Sequence, residues 1–289
     1  MSKLRLDLEH IRSHLKCIGL VYSTEIAAMS VWWMWNLPFQ AIQIAFSLFL
    51  FKLLEVALGG SNSLYGGNFV AFIISGLMVN TYLDTALSGW YDALSSIYRG
   101  KFATGGVTLS MRDYLYLAGI PPSLYLFAKV SWNFIMATSL FLSYLFLGTF
   151  FFGFKLPPHV DYVSLTLLLA IGVVACSGLG LISASMYWIA GAYRGVEPIR
   201  FFIRLLVPLV SGIYIPIEIL PYELRLVGLL LPHTYVIMGA RKVLFKGLGL
   251  PFVAGELHVL MLQALVLIPI GVVLLRFSLE LERKRGTIY

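Results

Sequence analysis

Two ionisable side chains stand inside stretches that are otherwise apolar: Asp84, within 68–90, and Lys129, within 122–150. If both stretches are helical, helical rise places each about 9–10 Å from the nearer end. Charged groups at that depth in an apolar helix face a bundle interior, where they pair or mark a pathway. The chemistry open to them is charge handling, and the expectation is an Asp84–Lys129 ion pair. The alternative has Lys129 reaching back to lipid headgroups while Asp84 faces a pathway. Arg200 and Arg204, one helical turn apart, either anchor to lipid phosphate or draw an anionic substrate inward. His10 and His14 have an i, i+4 spacing that can hold a metal, but no carboxylate or third ligand accompanies them and a solvated helix face is the simpler reading. No metal site is expected, and no catalytic residue. His159, His233 and His258 are isolated and read as interfacial.

A second feature lies late in the chain: Ser211-Gly212-Ile213-Tyr214-Ile215-Pro216, then Pro221, then Pro232-His233-Thr234-Tyr235, then Arg241. The run from Pro221 to Pro232 spans roughly 15 Å as a helix, half of a hydrocarbon core. It is too short to cross, and broken backbone at membrane depth survives only when buried in protein or lining a polar cavity. The expectation is a re-entrant hairpin at about 216–232, with 233–257 forming a connection on the same side.

These residues need a scaffold, and composition says which. The chain has 289 residues, 59% hydrophobic and 12% charged. Soluble domains run near 45–50% apolar and about 25% charged, so this is an all-α polytopic membrane protein. A β-barrel would show alternating segments of about 10 residues instead of long apolar runs. Six spans are expected, at about 37–57, 68–90, 122–150, 163–189, 198–216 and 258–279. Within the fourth, Gly172, Gly178, Gly180 and Ser177, with Ala170, Ala175 and Ala184, suit close helix contact. Residues 1–36 read as an amphipathic interfacial helix, with Leu4, Leu8, Ile11, Leu15 and Ile18 along one face; a helix packed on a soluble partner is the other reading. Trp32, Trp33 and Trp35 mark its boundary with the bilayer. No cleavable leader is expected, because the first twenty residues are charged and amphipathic. Residues 280–289 form a tail.

Lys and Arg orient the chain. Lys3, Arg5, Arg12, Lys16, Arg99, Lys101, Arg112, Arg194, Arg200, Arg204, Arg276, Arg283, Lys284 and Arg285 fall on one set of faces. Only Lys155, Arg225, Arg241, Lys242 and Lys246 fall on the other. Both termini are therefore expected in the cytoplasm, and an even number of spans agrees. The largest cytoplasmic loop then joins spans two and three. There Ser110 and Asp113 have capping-box spacing, and Gly119 with Pro121-Pro122 supplies a stop. The spacing predicts a helix over 111–118 that either docks on a soluble partner or lies on the membrane.

Taken together, these features resemble the ABC-2 type permeases, membrane subunits of ATP-driven exporters. The resemblance covers nearly the whole chain. Its most specific part is Ser211-Gly212 through Arg241, similar to the family's S-G, P, P, P-x-x-Y, R pattern; Phe72-Ile73-Ile74-Ser75-Gly76 is similar to the family's opening of span two. A departure stands at Gly106-Val107-Thr108-Leu109-Ser110, where family members often carry Gly-Thr-Leu-Glu. The resemblance implies a coupling element at about 108–119 (Thr108, Leu109, Ser110, Met111, Arg112, Asp113, Tyr114, Leu115) that docks on a separate ATP-binding subunit, present in two copies. It also implies an external gate formed by Ser211, Gly212, Tyr214, Pro216, Pro221, Pro232 and Tyr235. A second copy of the permease would complete the pathway, with spans one, two and five at the interface, in the plasma membrane.

The chain carries no G-x-x-x-x-G-K-[ST] loop and no G-x-G-x-x-G; at Gly178-Leu179-Gly180 the third glycine is replaced by Ser183. No cofactor is expected on this chain: ATP and Mg would belong to the partner, and the chain would not itself be an enzyme. Membrane lipids are expected partners, and nucleic acid is not. Amphipathic drug, antibiotic or lipid-like cargo is the expectation within this reading, with polysaccharide or lipid-linked glycan export as the alternative. From other classes come a proton-coupled carrier using Asp84, opposed by the lack of an inverted repeat, and a lipid-modifying enzyme, opposed by the lack of an interfacial cluster of His, Asp and Arg.

Overall fold

The computed structural model describes the backbone of residues 2–57, 65, 68–99, 101–104, 107–191 and 197–285. The side chains of 2–17, 20, 28–35, 99, 101–104, 107–109, 283 and 285 are outside the description, so His10, His14, Trp32, Trp33, Trp35, Thr108 and Leu109 are placed by backbone alone.

Five helices are long and apolar enough to cross a membrane, which makes the chain a multi-pass membrane protein. The order is α1 (Ser2–Ala57), α2 (Phe69–Arg99), β1 (Lys101–Thr104), β2 (Val107–Ser110), α3 (Met111–Leu117), α4 (Pro122–Phe151) and α5 (Tyr162–Ile189). Then follow α6 (Pro198–Val210), a 3-10 turn at Ile217–Ile219, α7 (Tyr222–Leu230), α8 (Pro232–Lys246) and α9 (Leu250–Arg285). The interfacial helix and the first span are one continuous helix, α1, with Pro38 inside it. Of the six expected spans, 198–216 is not a single long helix: α6 stops at Val210, and Ser211–Pro216 is non-helical.

Helix boundaries follow local chemistry. Glu55, buried where α1 ends, accepts the Phe69 backbone N–H at 3.2 Å and pairs with Lys52 at 2.6 Å, so it caps α2. The Asp161 carboxylate accepts from the Val163 and Ser164 backbone N–H groups at the start of α5, and these bonds, the Ser164 hydroxyl foremost, hold it below the usual carboxylate range. Pro122, Pro198 and Pro232 open α4, α6 and α8, where a missing N–H costs nothing.

α5 is the hub, and its small residues set the distances. A methyl group at Gly180 would lie 2.4 Å from the Ala86 carbonyl oxygen of α2. One at Gly178 would lie 2.6 Å from Leu267 of α9, and one at Gly172 would lie 2.2 Å from Val236 of α8. Backbones approach closely only where side chains vanish. The main core joins Leu48 of α1, Ile74, Met78 and Leu83 of α2, Leu168 and Cys176 of α5, Val236 and Val243 of α8, and Leu260 of α9.

Candidate functional site

Three constellations combine polar groups with an apolar scaffold. The first is built around Arg241. At the end of α6 the chain turns through buried Ser211 and Gly212, whose φ of +85° suits glycine. Arg241, from α8, donates from Nη1 to the Gly212 carbonyl (2.6 Å) and from Nη2 to the carbonyls of Phe72 (3.0 Å) and Ile213 (3.2 Å). Its Nε donates to Ser75 Oγ at 3.3 Å, and the guanidinium lies 3.4 Å from the Phe72 ring centre. A methyl group at Gly76 would come within 2.9 Å of Nη2. Arg241 thus clasps the Ser211–Ile213 turn to α2, which explains why the S-G and R positions belong together. Tyr214 continues the turn against Phe51 of α1, with ring centres 5.5 Å apart.

Beyond the turn, Pro216 and Pro221 precede the 3-10 turn and α7, and Pro232 starts α8. Thr234 Oγ1 donates to the Gly228 carbonyl at 2.5 Å, closing α7 onto α8. α8 runs antiparallel along α5, with His233 against Cys176 (3.8 Å), Val236 against Gly172 and Gly239 against Leu168. At its end, a methyl group on Gly247 would lie 2.8 Å from the His159 carbonyl. Helical rise from Tyr162 to Cys176 puts His233 about 21 Å along α5. This corrects two expectations. α7 and α8 form a helical hairpin with its apex at Leu231–Pro232, so most of the stretch described above as a connection is the helix α8. His233 is a fully buried apex residue, not an interfacial one. Tyr235, in the same arm, packs half-buried against the main core.

The second constellation corrects the expected Asp84–Lys129 pair. Both Asp84 oxygens are engaged by Arg204 of α6, Nε and Nη2 each at 2.6 Å, with Ser88 Oγ 3.3 Å from Nη2. Two turns along α2, Asp92 pairs with Arg200 at 2.5 Å, and the Arg200 guanidinium stacks 4.6 Å from the Tyr91 ring centre. Lys129 of α4 instead pairs with Glu25 of α1, beside a Tyr22–Ser131 hydroxyl contact of 2.7 Å. A guanidinium fork matches a carboxylate edge, which a lysine on the far side of α2 cannot do. The signal was present in the sequence: Asp84 and Asp92 are spaced at two turns and Arg200 and Arg204 at one, so two helices side by side can pair them in order. Neither reading given above for the two arginines, lipid anchor or free attractor, fits a pair already engaged by carboxylates.

The third is α3. Ser110 Oγ accepts the Asp113 backbone N–H and the Asp113 carboxylate accepts the Ser110 N–H at 2.7 Å, the capping box expected from the sequence. The Ser110 hydroxyl, then its backbone N–H, holds the Asp113 carboxyl below the usual range. The helix starts at Met111, so Thr108 and Leu109 belong to strand β2, paired antiparallel with β1 in the register Phe102↔Leu109 and Ala103↔Thr108. Leu115 is buried against Val21, Ile97, Tyr125 and Ala128, with Met111 beside it. It anchors α3 to the bundle and offers no docking surface. Tyr114 is half-buried. Tyr116 and Leu117 are 61% and 77% exposed. Arg112 pairs with buried Glu282 of α9, which also accepts the Tyr98 hydroxyl at 2.8 Å.

Among the described residues, no three His, Cys, Asp or Glu side chains gather as metal ligands. Comparison with protein-family models and with curated proteins finds no match to this chain.

Proposed function

We propose that the chain is the permease subunit of an ATP-driven exporter in the plasma membrane, working as a pair of copies with two separate ATP-binding subunits. The observation that carries the transport reading is the Asp84–Arg204 pair. Asp84 is the central residue of α2, yet its side chain is 35% exposed and that of Arg204 47%. A charged pair at mid-depth does not face acyl chains; it faces a water-filled cavity or protein. The α2/α6 face is therefore one wall of the pathway, and a second copy supplies the other.

The remaining geometry is consistent with six crossings and a re-entrant hairpin. From Arg200, beside Asp92, to Ile213, beside Gly76, the α6 segment follows α2 for about 24 Å of helical rise, most of a ~30 Å hydrocarbon core. α6 covers about 15 Å of this and the non-helical turn covers the rest. α7 and α8 then dip in and return, as an external gate clasped by Arg241. α3 lies at the opposite end of α2, where the positive-inside rule puts the cytoplasm. Its exposed Tyr116 and Leu117, held out by buried Leu115, are the docking surface for the ATP-binding subunit. Against a proton-coupled carrier, Asp84 already has both oxygens engaged by Arg204, so a proton would have to displace a guanidinium.

The test is co-expression with candidate ATP-binding subunits, followed by purification and measurement of ATP turnover in lipid vesicles. The expected result is a complex that Tyr116→Glu with Leu117→Asp disrupts, while the variant permease elutes as a folded species. No complex with any candidate, or a complex indifferent to those two changes, overturns the reading.

A further inference from the structure

Resting on the pathway reading above, we infer that the α2/α6 wall selects cargo with a zwitterionic headgroup, an amphiphile carrying adjacent positive and negative charges on an apolar body. The two ion pairs form a ladder with one polarity. Both carboxylates, Asp84 and Asp92, project from α2, and both guanidiniums, Arg204 and Arg200, from α6. On α2 the rungs are about 12 Å apart by helical rise. The ladder is electrically neutral, and that decides what can be exchanged on it.

A lone cation reaching Asp84 has to take it from Arg204 and leave the guanidinium without its carboxylate. A lone anion does the reverse, and in either case the two charge-assisted bonds of the fork are given up and one charge is left without its partner. A zwitterion replaces both partners at once, its anion on Arg204 and its cation on Asp84, with no charge left over. An uncharged polar cargo gains nothing from opening the pair. Because both rungs have the same polarity, a zwitterion passes from Asp92–Arg200 to Asp84–Arg204 without turning round. Phe201 and Leu205, each next in sequence to one of the arginines, are 64% and 57% exposed and offer apolar surface for the body of the same molecule.

Binding to the full chain in dodecyl maltoside micelles tests this, with radiolabelled dodecylphosphocholine as probe and dodecyltrimethylammonium and dodecyl phosphate as single-charge competitors. The zwitterion is expected to bind about tenfold tighter than either. Asp84→Asn moves the preference toward dodecyl phosphate and Arg204→Gln toward dodecyltrimethylammonium, each by about tenfold. The double exchange Asp84→Arg with Arg204→Asp keeps the zwitterion preference and guards against loss of fold. Competition by a two-chain phosphatidylcholine as strongly as by the single-chain probe assigns the source as membrane lipid; weaker competition assigns a free amphiphile. A second readout separates this inference from its premise: Leu205→Cys, in a chain with Cys17→Ser, reacts with a water-soluble maleimide if the wall is wet. Labelling with no change of headgroup preference in the single variants overturns the zwitterion assignment alone. No labelling overturns the pathway reading with it.

Discussion

The Arg241 clasp makes an unusual prediction: the conservative replacement is the damaging one. Arg241 is half-buried with four hydrogen bonds and a stacked ring, and its contacts are carbonyls, a hydroxyl and Phe72. The protein thus solvates a positive charge with dipoles. Arg241→Met removes the charge and the solvating geometry together. Two turn carbonyls, Gly212 and Ile213, lose their donor, at about 1 kcal/mol each, for about 2 kcal/mol in total. Arg241→Lys keeps the charge but condenses the donors to one point, which cannot reach α2 and both sides of the turn together. Two charge-assisted bonds are lost at about 1.5 kcal/mol each, and one carbonyl is orphaned, for about 4 kcal/mol.

The assay is reversible unfolding in maltoside micelles titrated with dodecyl sulfate, read by tryptophan fluorescence. The expected order of stability is native, then Arg241→Met, then Arg241→Lys. An ammonium under-solvated in this way sheds its proton more readily than one in water. In Arg241→Lys the unfolded chain then binds more protons than the folded one, so stability rises from pH 7 to 10, while Arg241→Met stays flat. A lysine variant milder than the methionine variant, or one without that pH slope, would refute the clasp. Gly76→Ala adds a check, since its new methyl group meets Nη2 at 2.9 Å: its cost is expected to fall in the Arg241→Met background, giving a non-additive cycle.

Two further predictions concern the scaffold. Gly180→Ala places a methyl group 2.4 Å from the Ala86 carbonyl and 2.9 Å from that of Leu87, backbone atoms that cannot step aside, and is expected to cost about 1–3 kcal/mol or more in the same titration. Gly255→Ala, with nothing within 4 Å, is the control and is expected to be neutral or to gain up to about 1 kcal/mol. Ser110→Ala removes the capping box and is expected to destabilise α3 by about 1 kcal/mol, read as lower amide protection at Met111–Asp113. Because the folded state holds Asp113 below its usual value, the contribution of its carboxylate is present above about pH 3.9 and is lost as pH falls through the folded value. Protection corrected for intrinsic exchange should therefore fall in acid in the native chain and not in Asp113→Asn.

What was legible in the sequence was what depends on neighbours in the chain. Apolar runs gave α4 and α5 nearly to the residue and the start of α2, which runs nine residues past its expected end; the Ser110–Asp113 spacing gave α3, and the small residues of α5 gave the close contacts at Gly172, Gly178 and Gly180. The hairpin was legible as a break but not in extent. Pro232 reads as an end when the chain is scanned forward, whereas proline's fixed φ also starts a helix, and here it starts α8. Residues 233–257 therefore read as a connection, with no helix assigned to them. Arg241 is satisfied by carbonyls 28 to 169 residues away, a partner set that no local pattern encodes.

The same limit explains the ion pairs. Depth alone brought Asp84 and Lys129 together, since both lie at similar distances from one end of adjacent helices. Which face each residue occupies depends on rotation about the helix axis, and an apolar helix buried on most sides gives periodicity little purchase. α2 is such a helix, and the row that breaks its apolar character, Asp84, Ser88 and Asp92 at successive turns, faces α6. α6 is a short helix with a sharply two-sided sequence, charged at Arg200 and Arg204 and apolar at Phe201, Phe202, Leu205 and Leu209. Matching the polar row Asp84, Ser88 and Asp92, whose carboxylates stand eight residues apart, to the arginine row Arg200 and Arg204 uses only sequence, and it selects α6 over α4, where Lys129 stands alone. Rows, not depths, therefore pair these helices.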